Sequence, residues 1–302
     1  MNFTNKNNWP NYIADWCVSD DYEYSDNPYQ LSVTTLFKPI QAYWLSVRHH
    51  DQLSMDISDL AASRRGSAIH DSIEKVKSDN CIKEVRTNKE VVINSHTYTI
   101  SGKFDILEQV EDDLWQLRDI KTTSVWSFIY DDKDEDYQKQ LSMYRWLNSD
   151  KYKIKDVGFI DFFFMDWQSS KAKMEDNYPS HWLMPAGKKI NLLSLEDTEN
   201  YMKERITLFD KYRHVVDNKL PPCTPQELWA KADSFAIMKK DARKATKLCN
   251  SKEEAEQYMS DKKIKGFIQF RPGKVKRCKY CAAASMCSQY TYLVKLNLID
   301  NH

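Results

Sequence analysis

The sequence predicts an α/β fold, with a mixed central β-sheet flanked by helices and a helical, cysteine-rich C-terminal extension. Three observations point there. The hydrophobic patterns follow one another as helix, three strands, helix, strand, the mixture expected of an α/β domain rather than of a bundle or sandwich. Val157-Gly158-Phe159-Ile160-Asp161-Phe162-Phe163-Phe164 is almost wholly apolar, as a strand buried on both faces would be. Pro221-Pro222 then breaks the pattern, and the Lys-rich tail beyond it ends in three closely spaced cysteines.

The first helix signals lie in residues 29–60. Ser32 precedes Val33-Thr34-Thr35-Leu36-Phe37 as a helix-starting residue, and an aromatic-rich segment runs on through Tyr43, Trp44 and Leu45. A second helix should begin near Ser63 and carry Ile69, His70, Ile73 and Val76 on neighbouring faces. Strands are predicted at Glu90–Ile93, Tyr98–Leu107 and Leu114–Lys121, the last two folded back as a hairpin on the acidic turn Glu111-Asp112-Asp113. The acidic stretch Asp131-Asp132-Lys133-Asp134-Glu135-Asp136 would cap the next helix, Tyr137 to Leu147, because carboxylates suit the positive end of the helix dipole. His181–Met184 reads as a further strand and Leu195 to about Val216 as a long helix. The resulting division is an N-terminal helical segment (1–60), a core (61–217) and a basic, cysteine-rich region (218–302) expected to pack on that core.

Composition narrows the function. A chain of 302 residues with 41% hydrophobic content supports a real core, not disorder. No stretch approaches the roughly 18 apolar residues of a membrane span, and the polar start, Met1 to Tyr12, lacks a signal-peptide pattern. A soluble, cytoplasmic protein is expected. Seven cysteines in a chain of this length do not read as a secreted disulfide scaffold. Lys+Arg and Asp+Glu both count 44, so global charge names no partner. Local charge does: Lys231 to Lys279 carries 15 basic against 6 acidic residues, enough to follow a phosphate backbone.

The chemistry centres on the hairpin. In a strand, residues two apart share a face, so Asp119 and Lys121 point the same way, and an antiparallel return sets Asp105 beside them. Two carboxylates and an ammonium at one spot can hold a divalent cation and a water against a phosphate. His70 on the preceding helix can add a nitrogen ligand, which favours manganese alongside magnesium. Gln140 and Tyr144, four apart on the following helix, share a face and can hydrogen-bond a phosphate or a base. Glu84, in Glu84-Val85-Arg86, is a further carboxylate that could join the set.

In order, then, the chain shows Gly66-x-x-x-His70, Gly102-x-x-Asp105, Asp119-x-Lys121 and Gln140-x-x-x-Tyr144. This series resembles the RecB-like branch of the PD-(D/E)XK nuclease superfamily, which includes CRISPR-adaptation exonucleases and phage recombination exonucleases. The resemblance covers roughly residues 30–165, and the cysteine-rich tail extends it. It implies that His70, Asp105, Asp119 and the backbone carbonyl of Ile120 bind Mg²⁺ or Mn²⁺. Lys121 would orient or help deprotonate the attacking water, and Gln140 and Tyr144 would position the DNA strand or buttress Lys121.

Cys278-x-x-Cys281, with Cys287 close behind, has the spacing of three thiolate ligands around one metal or cluster. In the resembling nucleases such a triplet joins one upstream cysteine, which precedes a proline, to hold an iron–sulfur cluster. The matching place here is Lys38-Pro39, so the fourth ligand must come from elsewhere. Cys223, in Pro221-Pro222-Cys223-Thr224-Pro225, is the best substitute, ahead of Cys17 and Cys249; Cys81 reads as buried and inert. A [4Fe-4S] cluster on Cys223, Cys278, Cys281 and Cys287 is expected, with a four-thiolate Zn²⁺ site as the alternative.

The expected function is a metal-dependent deoxyribonuclease, an exonuclease acting on single-stranded or end-processed DNA in phage or mobile-element recombination or repair. A recombination or replication protein would be a further partner. The alternatives are a structure-specific endonuclease or an RNase, and a non-catalytic DNA-binding module on the same scaffold.

Overall fold

The computed structural model describes residues 1–19, 25, 27–130, 133–184 and 186–300. In chain order these form β1 (Asn2–Thr4), α1 (Asn11–Val18), β2 (Gln30–Ser32), α2 (Val33–Leu36), α3 (Ile40–Arg48), β3 (Ser54–Asp56) and α4 (Ile57–Glu74). Next come β4 (Cys81–Ile93), β5 (His96–Glu111), β6 (Leu114–Thr123), α5 (Val125–Tyr130), α6 (Asp134–Asn148), β7 (Lys153–Ile154) and β8 (Val157–Phe164). The chain continues through α7 (Ser169–Ala172), β9 (Lys188–Asn191) and α8 (Leu195–Tyr212), and then β10 (Ser234–Met238), β11 (Lys247–Cys249), α9 (Lys252–Asp261), β12 (Phe267–Arg271) and α10 (Ser288–Lys295). Two compact units result, interleaved in sequence: Phe3–Lys38 with Asp56–Lys211, and Met1–Asn2 with Pro39–Met55 and Tyr212–His302.

The first unit holds a seven-stranded mixed sheet in the order β2-β5-β6-β8-β9, with β4 beside β5 and β7 beside β6. β4 and β5 form a long antiparallel pair, and β5 turns back into antiparallel β6 through Asp112 and Asp113. Asp113 sits at φ 59°, a left-handed turn conformation that a short polar side chain tolerates. β6 then pairs in parallel with β8, and β9 closes that edge antiparallel.

One irregularity organises the sheet. β4 occupies one edge of β5 along its length, while the other edge is shared. Parallel β2 takes Thr99–Ser101, and β6 takes Ile106 onward, the rung nearest the gap being Ile106↔Arg118. Between them β5 and β6 part, and β6 carries on beside β8 from Arg118 to Thr123. The sheet is therefore forked at Asp105.

Helices cover the sheet because their apolar faces require it. α6 buries Leu141, Met143, Tyr144, Trp146 and Leu147, and its first turn carries Asp134, Glu135 and Asp136, as the dipole favours. The rest of that acidic stretch, Asp131 and Asp132, lies outside the described residues. α8 buries Thr198, Met202, Ile206 and Phe209, a stripe at helical spacing. Tyr98, Phe104, Leu107, Leu117 and Ile160 fill the sheet side of the core.

Two glycines set how closely helix and strand approach. A Cβ on Gly102 of β5 would stand 2.7 Å from Leu147 Cδ1 and 3.0 Å from Tyr144 Cε1, both on α6. A Cβ on Gly66 of α4 would stand 3.0 Å from Thr122 Oγ1 on β6.

Several expectations need correcting. α4 begins at Ile57, not near Ser63, because the Asp56 side chain accepts from Ser58 N–H and caps it. β4 extends back to Cys81; as an edge strand it tolerates the charges of Lys83, Glu84 and Arg86 that hid its period. His181–Met184 forms only a bridge between Leu183 and Phe163, and β9 supplies the strand instead. α8 ends at Tyr212, short of Val216.

The second unit contradicts the helical tail. It contains an antiparallel sheet, β11-β10-β12, with α9 packed on it through Ile237, Cys249 and Ala255. Strands of three to five residues between lysine-rich loops leave no period long enough to read. A separate cluster of Leu228, Val275, Cys278, Leu293 and Ile299 surrounds α10. No helix among the described residues is long and apolar enough to cross a membrane.

Gly102→Val should lower folding stability by about 1–3 kcal/mol, the usual result of forcing side-chain atoms into a packed core. Urea unfolding measures it, and Gly102→Ala should fall between that variant and the wild type.

Candidate functional site: an acidic cluster at the sheet fork and a cysteine-lined cavity

The fork gathers side chains from five elements. α4 supplies His70, one turn beyond Gly66 and so on the same face. β4 supplies Glu84, β5 Asp105, β6 Asp119 to Lys121, and α6 Gln140 and Tyr144. Lys83 pairs with Ile106 and Val85 with Phe104, which sets Glu84 opposite Asp105.

Asp105 fills the place of a missing ladder rung. Its Oδ2 accepts the Ile120 N–H at 2.7 Å, the donor that parting from β5 would have left unpaired. Its Oδ1 lies 3.6 Å from His70 Nδ1, which is 3.2 Å from Glu84 Oε1. Ligand atoms of His70, Glu84 and Asp105 all lie within 4.8 Å of one another, the one such trio of His, Cys, Asp and Glu among the described residues. Asp119 is buried, and its Oδ2 meets Lys121 Nζ at 2.6 Å without a well-aligned hydrogen bond. Gln140 Nε2 donates to Tyr144 Oη at 3.1 Å. Tyr144 is close enough to Asp119, Asp105 and Glu84 to feel their charge. Every predicted residue of the nuclease set therefore converges on the fork.

Electrostatics describe a site of buried, closely packed charges. Burial, and then the Asp119 charge, push the Asp105 carboxyl up to about 7. Burial would lower His70, but the hydrogen bond it donates to Glu84 and the charges of Asp105, Glu84 and Asp119 outweigh it and hold it above its ordinary value. Burial likewise opposes the charged form of Lys121, yet Asp119 and Asp105 keep it raised, as an ammonium. Burial pushes the Tyr144 phenol up, and Asp119 adds to the shift. One nitrogen and three carboxylates, with a buried oxygen lacking an aligned donor, form a set that fits a hard or borderline divalent cation.

Glu84 was the weakest sequence signal and is tightly held in the structure. Its side chain is only 6% exposed and is held by Lys103 Nζ at 2.5 Å. Its φ of 53° is left-handed, uncommon for a residue with a long side chain in a strand. Periodicity carries no mark of such a backbone, so only the fold reveals it.

The second unit holds the cysteines. Cys223, Cys278, Cys281 and Cys287 line one cavity of about 30 Å³. Gln289 clamps the Cys223 backbone, accepting its N–H at 2.8 Å and donating to its carbonyl at 2.9 Å. The Cys287 sulfur caps α10 by accepting from Tyr290 N–H. Burial, then Glu227 and the neighbouring thiols, push Cys223 up to about 12; burial and the adjacent cysteines push Cys278 up to about 11. Such thiols stay protonated at neutral pH unless a metal takes them as thiolates. Gln41 of α3 was not anticipated. It is buried, with its Oε1 3.4 Å from Cys287 Sγ and 3.9 Å from Cys223 Sγ. Of the weaker candidates, Cys249 is sealed into the α9 cluster and Cys17 lies in the first unit. Cys81 is partly exposed, not buried as its sequence context suggested.

Comparison with known proteins bears on the first of these sites. A family model described as the PD-(D/E)XK nuclease superfamily matches residues 82–288. No curated protein matches the chain. Among solved structures, the crystal structure of SSO0001 is similar at a TM-score of 0.48 and 16% identity, over 70% of this chain and 97% of that one.

Asp105→Asn keeps the acceptor for Ile120 N–H and removes a buried charge. It should raise the melting temperature of metal-free protein by about 2–4 °C, the shift that 1 kcal/mol gives in proteins of 150–250 residues. The same variant should lose most of the stabilisation that Mn²⁺ confers on the wild type. Differential scanning calorimetry with and without Mn²⁺ checks both.

Proposed function

The chain belongs to the PD-(D/E)XK nuclease superfamily, and we propose that it is a divalent-metal-dependent deoxyribonuclease. The observation that carries this reading is the trio of His70, Glu84 and Asp105 within 4.8 Å, with Asp119 and Lys121 paired on the next strand. His70, Asp105 and Asp119 would hold Mg²⁺ or Mn²⁺, with the Ile120 carbonyl completing the protein ligands and Glu84 as a further carboxylate. Such a cation lowers the pKa of a bound water and neutralises charge on the phosphate.

The chain's own residues supply the rest. Asp105, tied to the β6 backbone through Ile120 N–H, is rigid in the way a ligand must be. Lys121, held as an ammonium by Asp119, donates a hydrogen bond to the attacking water and stabilises the anionic transition state. Gln140 and Tyr144, linked to each other on α6, position the strand beside the scissile phosphate. The substrate we assign is single-stranded or end-processed DNA, degraded from a free end in phage or mobile-element recombination. The motif series ending in Gln140 and Tyr144 supports end processing over internal cutting.

The cysteine cavity completes the reading with a [4Fe-4S] cluster on Cys223, Cys278, Cys281 and Cys287. Tetrahedral zinc would bring four sulfurs to about 3.8 Å of one another. No three of these thiols lie mutually within 4.8 Å among the described residues, although all four face one cavity. That wider spacing favours a cluster over a single ion.

Linear and circular single-stranded DNA incubated with the protein and Mn²⁺ separate the alternatives. Linear strands should disappear while closed circles persist, and equal rates would mean an endonuclease. Lys121→Ala should reduce kcat by about 10²–10³-fold, the scale of losing one transition-state donor. Asp119→Ala, which removes a metal ligand, should reduce it at least as far, and both variants should retain DNA binding in EDTA. Anaerobically purified protein should absorb near ~400 nm, as iron–sulfur clusters do, and Cys281→Ser should bleach it. Colourless protein containing zinc would replace the cluster with the four-thiolate site.

A further inference from the structure

Residues 234–271 form a part of the second unit that the catalytic reading leaves unused. α9 closes one face of the β11-β10-β12 sheet around Ile237, Cys249 and Ala255. Side chains alternate across a strand. Ala236 and Met238, with their cross-strand partners Leu248, Gln269 and Phe267, therefore belong to the face away from α9. On that face Leu248 is 56% exposed and Phe267 54%. The Arg271 guanidinium lies along it, 3.5 Å from Met238 Sδ. Ala236 and Met238 of the central strand are themselves buried, so what this face offers to solvent is Leu248 and Phe267 on the flanking strands. Large apolar side chains left in water mark a surface that something covers.

Charge identifies the occupant. The acidic residues Glu253, Glu254 and Glu256 all sit on α9, the far side of the sheet. Lys239, Lys240, Arg243 and Lys244 stand exposed in the loop between β10 and β11; Lys262, Lys263 and Lys265 stand exposed ahead of β12. Asp241 and Asp261 are the only acidic residues among them. An exposed aromatic ring with a guanidinium on the same face, rimmed by lysines, suits a polyanion with exposed π-faces. A duplex offers Phe267 no unstacked base, and an apolar protein partner would leave the lysine rim unanswered. A single strand meets both demands.

We propose that the face of the β11-β10-β12 sheet away from α9 binds single-stranded DNA, stacking a base on the exposed Phe267 while Arg271 and the rim lysines contact phosphates. The identity of the strand as DNA rests on the proposed nuclease function. Fluorescence anisotropy of labelled oligothymidine with the full-length protein in EDTA tests it without cleavage. Phe267→Ala should weaken binding about tenfold, the loss of one stacked base, and Phe267→Trp should restore it. Lys239→Gln combined with Lys240→Gln should reduce the slope of log affinity against log salt by about 1.4, the value for two phosphate contacts on a single strand. Both positions are exposed, and unchanged melting temperatures confirm that the variants fold. Wild-type affinity and slope in all variants would overturn the platform even where the protein cleaves DNA as proposed. Equal wild-type affinity for duplex and single strand would overturn it too. A wild type that binds oligothymidine with the expected variant losses but cuts no DNA would uphold the platform and refute the catalytic reading instead.

Discussion

Where β5 and β6 separate, the Ile120 N–H loses its ladder partner, and the Asp105 carboxylate takes it at 2.7 Å. A buried backbone donor left unpaired costs about 1–3 kcal/mol, so the carboxylate is structural before it is anything else. This one bond holds the fork, and the fork makes the site. Because β6 leaves β5 to run beside β8, Asp119 and Lys121 project at an opening in the sheet instead of beneath a continuous ladder. On the other edge of β5, the left-handed Glu84 sits opposite Asp105 and turns a third carboxylate toward the same place.

The helices complete this geometry through what they lack. Gly66 and Gly102 leave no side chain where α4 meets β6 and where α6 meets β5. Those close approaches bring His70 and Tyr144 up to the acidic cluster. The cluster is electrostatically strained, since Asp105, Asp119 and Glu84 stand close together and buried, with His70, Lys103 and Lys121 facing them. The raised Asp105 carboxyl reflects its burial first and the Asp119 charge second. Stability given up at a site is usual where function requires a fixed charge arrangement. Here the arrangement is one that suits a divalent cation.

The two units differ in how much of them could be read beforehand. In the sheet unit the long elements were legible, with β8 found at its full extent and β5 and β6 recognised as a hairpin, because their apolar periods persist over many residues. The charged edge strand β4 was legible only at its apolar end. In the second unit, strands of three to five residues gave no period, and a sheet was mistaken for helix. The candidate set that meets at the fork was legible because it is carried by short, ordered spacings: Gly66 to His70, Gly102 to Asp105, Asp119 to Lys121, Gln140 to Tyr144. Gln41 was not, since a buried glutamine among aromatics carries no mark of what it faces.

Local sequence by itself determined which side chains share a face, because strand and helix periods are set by backbone sterics that need no partner. That sufficed for the Asp119–Lys121 pair, the Gln140–Tyr144 pair and the cysteine triplet. Whether those faces meet depends on pairing between segments far apart in the chain, and only the tertiary structure decided it. The register placing Asp105 beside Ile120, the left-handed backbone aiming Glu84, and the cavity joining Cys223 to cysteines more than fifty residues later all arise from long-range packing.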